Sequence, residues 1–204
     1  MRSVLAGLRR WAGIGHDLST NAEKWVSTAG GLVGILGVAL VSQSQLGLAG
    51  SASIIASMGS SAVLLFAVPH GPLSQPWSVF GGHLVSAIVG VTCVKLIPSP
   101  MLAAAIAVAL AIGAMHYLRC IHPPGGATAL GAVLGGDVVH QLGYQFVITP
   151  VMLNAITILL LAFLFNAPFA WRRYPAAWSE DPGAKVPAKA GEAGTPLMEN
   201  ADGR

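Results

Sequence analysis

Charge is scarce in this chain. Asp, Glu, Lys and Arg make up 9 % of its 204 residues, against roughly 25 % in soluble domains. Between Glu23 and Glu180 the only acid is Asp137, so no nucleophile–base–orienter arrangement can be assembled. The chain therefore reads as a non-enzyme with no catalytic residues. No basic stripe is present for nucleic acid; the formal charge of +3 sits mostly in the N-terminal arm and just past the last apolar run. Cysteine is equally sparse. Cys93 and Cys120 are far apart and show neither a CxxC nor a Cys/His metal spacing, so they read as packed thiols, with no metal and no cofactor expected.

Apolar residues are abundant, at 54 %. The runs 101–118 and 146–165 are long enough to cross a hydrocarbon core of ~30 Å, which takes about 20 helical residues. The expected fold is an all-α membrane protein of about six hydrophobic segments. Four are full spans, near 29–48, 79–97, 101–118 and 146–165. Two are short and broken by Gly or Pro, near 53–68 and 125–139. Residues 1–25 form an N-terminal arm in which Arg2, Arg9, Arg10 and Lys24 alternate with apolar residues, the pattern of an interfacial amphipathic helix. Arg9 and Arg10 interrupt the apolar core that a cleavable signal needs. The membrane domain covers 26–171. Beyond it, 172–204 is rich in Pro, Ala, Gly and charge, and is expected to be a disordered tail, exposed from Tyr174 onward.

The stretch around which the rest is organised is Ile121-His122-Pro123-Pro124-Gly125-Gly126-Ala127-Thr128-Ala129-Leu130. Two prolines stop an incoming helix near His122, and the second suits the first turn of a new one. Gly125 and Gly126 leave backbone N–H groups uncovered, and a helix N-terminus attracts anions. Thr128 adds a hydroxyl, while His122 and Arg119 add polar groups at the approach. The plainer reading is a rigid Pro/Gly loop, with His122 capping a neighbouring helix and Arg119 snorkelling to the interface.

A weak internal repeat strengthens the first reading. An offset of 67 residues superposes Ile54 on Ile121, Gly59 on Gly126, Ser61 on Thr128, Ala62 on Ala129 and Trp77 on Tyr144. The halves, about 29–97 and 101–167, share one series: full span, short Gly-broken segment, full span. Paired broken segments mark the central site of many transporters. The expected site therefore joins Gly59, Ser60 and Ser61 to His122, Pro123, Pro124, Gly125, Gly126 and Thr128, with Arg119 at one mouth. If both short segments cross, there are six spans, with Arg119 on the side of the termini and Lys95 opposite; if both re-enter, there are four. Either way the termini share a side. The arginines flanking the ends make that side cytoplasmic, in a bacterial-type inner or plasma membrane.

His122-Pro123-Pro124, followed by Gly125-Gly126-Ala127-Thr128-Ala129, resembles the signature of the HPP family of integral membrane proteins. Gly59-Ser60-Ser61-Ala62 and the run from Pro69 to Gln75-Pro76 resemble that family's second marked region, so the similarity covers about 25–168. The resemblance implies a helical membrane domain with a transport role, nitrite transport being reported in some photosynthetic relatives, and it brings no catalytic residues. Some members append CBS regulatory domains after the last span; the tail here supports none. The function expected is a transporter or channel for a small inorganic anion, nitrite or nitrate first, working in the lipid bilayer and compatible with a homo-oligomer. A non-transporting membrane scaffold is the main alternative. A redox protein built on the histidines is weaker, because Pro72 and Pro76 break any helix joining His70 to His83.

Overall fold

The computed structural model describes residues 7, 8, 11–13 and 19–179. Most of the expected amphipathic arm and all of 180–204 lie outside them.

Thr20 caps the first long helix, its hydroxyl accepting from Glu23 N–H at 3.2 Å. With Glu23 in the first turn, this is the Thr-x-x-Glu pattern of a helix start. The helical run Asn21–Ala67 breaks at Gly47 (φ 66°, ψ 178°), a conformation that side chains resist. The break separates α1 (Asn21–Gln45) from α2 (Ser51–Ala67). Proline opens each of the next three helices: α3 (Pro76–Leu96), α4 (Pro100–Tyr117) and α5 (Pro124–Leu134). A short α6 (Gly136–Leu142) follows. A wide π-helical turn, Val147–Met152, then leads into α7 (Leu153–Asn166). Among the described residues four helices are long and apolar enough to cross a membrane: α1, α3, α4 and the joined stretch Val147–Asn166. The shorter apolar helices are α2 and α5, so the four-plus-two pattern holds.

Contacts fix the directions of travel. At one end of the bundle Arg172 reaches Ser27 and the Phe66 carbonyl, Trp77 Nε1–H donates to Leu118 C=O, and Tyr174 donates to Ser74 C=O. At the other end Thr92 meets the Tyr144 hydroxyl at 2.9 Å, and Lys95 lies over the Tyr144 ring. The chain therefore reverses at each connection, with residues 27 and 172 sharing an end.

Glycines set how closely these helices approach. A Cβ on Gly30 or Gly34 would fall within 2.5 Å of the Phe66 ring, and one on Gly37 within 2.5 Å of Leu161. A small-x-x-x-small seam thus holds α1 against α2 and α7.

One boundary differs from expectation. The segment just after α7 folds back as a strap instead of leaving the domain at residue 172. Arg172 is 1 % and Tyr174 2 % exposed. Asn166 Oδ1, Ser27 Oγ and Phe66 C=O accept from the Arg172 guanidinium, so each of its three nitrogens donates to a protein partner where snorkelling would seek water. Burial pushes that guanidinium below its ordinary value, and Glu23 nearby pulls it partly back.

Candidate functional site

The site is built where α2, α3 and α5 meet. After α4 the chain turns at Arg119, which takes a left-handed φ of 55°. Arg119 N–H donates to His116 C=O and Cys120 N–H to Met115 C=O, the paired bonds of a helix stop that usually uses glycine. From there residues 118–122 run down the side of α3. Leu118 sits by Trp77, Cys120 against Gly81, and His122 against Gly82, where an added Cβ would lie 2.5 Å from the His122 Cβ. The two glycines make this descent sterically open. α5 therefore starts inside the bundle, with Gly125 against Ser86 and the Gly82 carbonyl.

The descent inserts His122 into a closed polar corner. Its Nδ1 lies 2.8 Å from Leu73 C=O and its Nε2 2.9 Å from Ser61 Oγ. Ser61 Oγ is also 2.8 Å from His83 Nε2. On the other face of that ring, His83 Nδ1 is 2.7 Å from Thr128 Oγ1, which is 2.6 Å from Ser57 Oγ. Ser57 reaches Pro124 C=O at 3.2 Å. All five side chains are 1 % exposed or less. The rings meet edge to face with centroids 4.9 Å apart. Each of these polar atoms has a neighbour within 3.2 Å, so burial isolates none of them.

The sequence-predicted residues divide into two sets. Ser61, His122 and Thr128 join the corner through their side chains, and Pro124 through its carbonyl. Gly125 is buried and forms the close contact of α5 with α3. The others line surface grooves: Ser60, Pro123 and Pro124 one of about 390 Å³, Gly59 another, and Gly126 with Pro123 a third. Arg119 is exposed at the turn.

The idea of two helix N-termini presenting bare amides needs correction. Gly59, Ser60 and Ser61 lie in the middle of α2, whose ladder takes up their N–H groups. Gly125 N–H donates to His122 C=O and Gly126 N–H to Pro123 C=O. Of these glycines only Gly125 serves close helix approach; a Cβ on Gly59 or Gly126 would meet nothing within 4 Å. Sequence reasoning missed His83 and Ser57, although both carry a signal: each is a polar residue within an apolar helix, where only a partner inside the bundle makes burial tolerable. Among the described residues no three of His, Cys, Asp and Glu come together to hold a metal.

These features define a class: an all-α integral membrane protein whose apolar bundle closes around one connected polar corner. The HPP transmembrane-region family matches residues 17–175, and the chain belongs to that family. Two proteins of Dictyostelium discoideum, each named a transmembrane protein, are similar to it. One is 35 % identical over 83 % of this chain and 56 % of its own length, the other 33 % identical over 86 % and 64 %. The chain thus spans less than two thirds of either relative. No solved structure matches it significantly.

Proposed function

We propose that this protein is a transporter or channel for a small inorganic anion, with nitrite and nitrate as leading substrates, and that the solute passes the corner where α2, α3 and α5 meet. The observation that carries this reading is the burial, to 1 % exposure or less, of Ser57, Ser61, His83, His122 and Thr128 in one network within an apolar bundle. Polar groups at such depth are expensive and characteristically line solute or proton routes. Three hydroxyls and two imidazole N–H groups are the donors a dehydrated oxyanion requires. In the closed arrangement they satisfy one another, and an entering anion would draw them to itself. The groove lined by Ser60, Val63, Leu64, Pro123, Pro124 and Ala127 is the approach, since Pro124 forms part of both groove and corner.

Two further features favour this reading. Ser61 and Thr128, paired by the 67-residue offset, hold opposite nitrogens of His83, as repeat halves built around a shared centre would. Lys24, Arg119, Arg172 and Arg173 cluster at the end that holds both flanks of the domain, with Lys95 opposite; that end is cytoplasmic under the positive-inside rule, in an inner or plasma membrane. The scaffold reading keeps one specific support, the uncovered Gly31 and Gly113, which accept close approach of a second copy.

Flux into liposomes discriminates. Purified full-length chain is reconstituted and offered nitrite, nitrate, formate, chloride and bicarbonate, with and without a pH gradient. Uptake of nitrite or nitrate above protein-free liposomes is expected. Flux equal to that background for all five ions would favour the scaffold.

A further inference from the structure

The buried corner has more hydrogen-bond links than hydrogens. We infer that its own ligand is a single proton, shared between His83 and His122 and carried together with the anion. The coupling rests on the transport reading above; the proton site rests on the geometry of the network.

Six links of 3.2 Å or less run from Leu73 C=O through His122, Ser61, His83, Thr128 and Ser57 to Pro124 C=O, with two longer contacts of 3.4 Å branching from Ser61 to Ser57 C=O and from Thr128 to Pro124 C=O, and the five side chains, when neutral, bring one hydrogen each. Both ends are carbonyls, which only accept. The Leu73 carbonyl makes His122 Nδ1 a donor, so its Nε2 accepts from Ser61. With its hydrogen committed, Ser61 accepts from His83 Nε2–H. His83 Nδ1 then accepts from Thr128, and Thr128 from Ser57. Every hydrogen points toward Leu73, and the link left empty is Ser57 to Pro124 C=O. That link measures 3.2 Å while the other five measure 2.6–2.9 Å.

One added proton fills the gap. Placed on His83, it leaves both ring nitrogens donating: Nε2–H to Ser61, which donates to His122, and Nδ1–H to Thr128, which donates to Ser57 and so to Pro124 C=O. All six links then hold one hydrogen each. Moving the charge to His122 takes two transfers across Ser61: the His83 Nε2 proton passes to Ser61 Oγ as the Ser61 proton passes to His122 Nε2. No link is lost. With ring centroids 4.9 Å apart, a second proton would set two cations side by side, so the capacity is one.

The countercharge must come from the solute. The elements around the two rings present the Ser57, Ser61, Ser86 and Thr128 hydroxyls, the Cys120 thiol and carbonyls; His116 and Arg119 sit exposed on the adjoining helix end and turn. Among the described residues no carboxylate faces the corner, and a cation buried without a partner is costly. An anion at the Pro124 side supplies that partner. The predicted movement is one proton with one anion, without net charge.

Two measurements on the wild-type chain test this. In liposomes containing a pH-sensitive dye, nitrate is the cleaner probe, because nitrous acid crosses lipid unaided and nitrite therefore needs a protein-free subtraction. One proton entering per anion, at a rate indifferent to an imposed voltage, is expected. Anion uptake without protons, or driven by voltage, overturns the coupling and leaves the transport reading intact; no uptake of either anion removes both. Separately, ¹⁵N spectra of histidine-labelled protein should show His122 as the Nδ1–H and His83 as the Nε2–H tautomer, with one proton shared on acidification. The opposite tautomers, or two independent protonations, overturn the proton site. His83→Gln should lower proton movement at least tenfold, and unchanged movement in that variant counts against it.

Discussion

Ser61 touches both imidazoles, and Thr128 touches one. A buried polar group left unpaired costs about 1–3 kcal/mol. Ser61→Ala orphans a nitrogen on each ring, so it is expected to destabilise the protein roughly twice as much as Thr128→Val. Thermal denaturation in detergent measures the ordering, and equal losses would show that the rings re-pair. Tyr174 offers a pH test. Its buried hydroxyl donates to Ser74 C=O, and burial holds the phenol well above its ordinary value. Only the unfolded chain then releases this proton at about pH 10, so the stability Tyr174 contributes is complete below that and falls as pH rises further. Tyr174→Phe is expected to cost about 1 kcal/mol at neutral pH and to flatten the alkaline decline in a denaturation series. Sequence reasoning reached Ser61, His122 and Thr128 because they lie in marked motifs. His83 and Ser57 stand in otherwise regular apolar helices, and periodicity alone does not say which polar residue finds a buried partner.

At the scale of elements, adjacent glycines have opposite roles. A Cβ on Gly125 would lie 2.7 Å from Ser86 Oγ and 2.9 Å from the Gly82 carbonyl, whereas one on Gly126 would meet nothing within 4 Å. Gly125→Ala is therefore expected to push α5 off α3 and reduce the yield of monodisperse protein severalfold, while Gly126→Ala leaves yield and elution unchanged. Size-exclusion profiles of the two variants decide it. Helix placement was legible: the expected 79–97 and 101–118 became Pro76–Leu96 and Pro100–Tyr117, because prolines both stop and start these helices. The roles of the small residues were less legible. Gly59 and Gly126 both belong to the expected site, yet glycine mid-helix and glycine at a helix start have the same sequence appearance, and only the neighbours distinguish them.

Across the whole molecule, the strap connects the segment after α7 to the site. Tyr174 holds Ser74, in the same Pro72–Ser74 turn that offers Leu73 C=O to His122. Arg172 ties that strap to α1 and α2. Composition pointed to exposure from Tyr174 onward, since a Pro/Ala/Gly-rich stretch lacks apolar periodicity; two side chains with specific partners were enough to fold its first residues back. The central claim is that solute crosses at the corner where Ser61 holds both imidazoles. Its most direct test is nitrate uptake by liposomes carrying equal amounts of folded wild-type or Ser61→Ala protein. Uptake by the wild type and at least a tenfold loss in the variant are predicted; equal uptake by both would contradict the account.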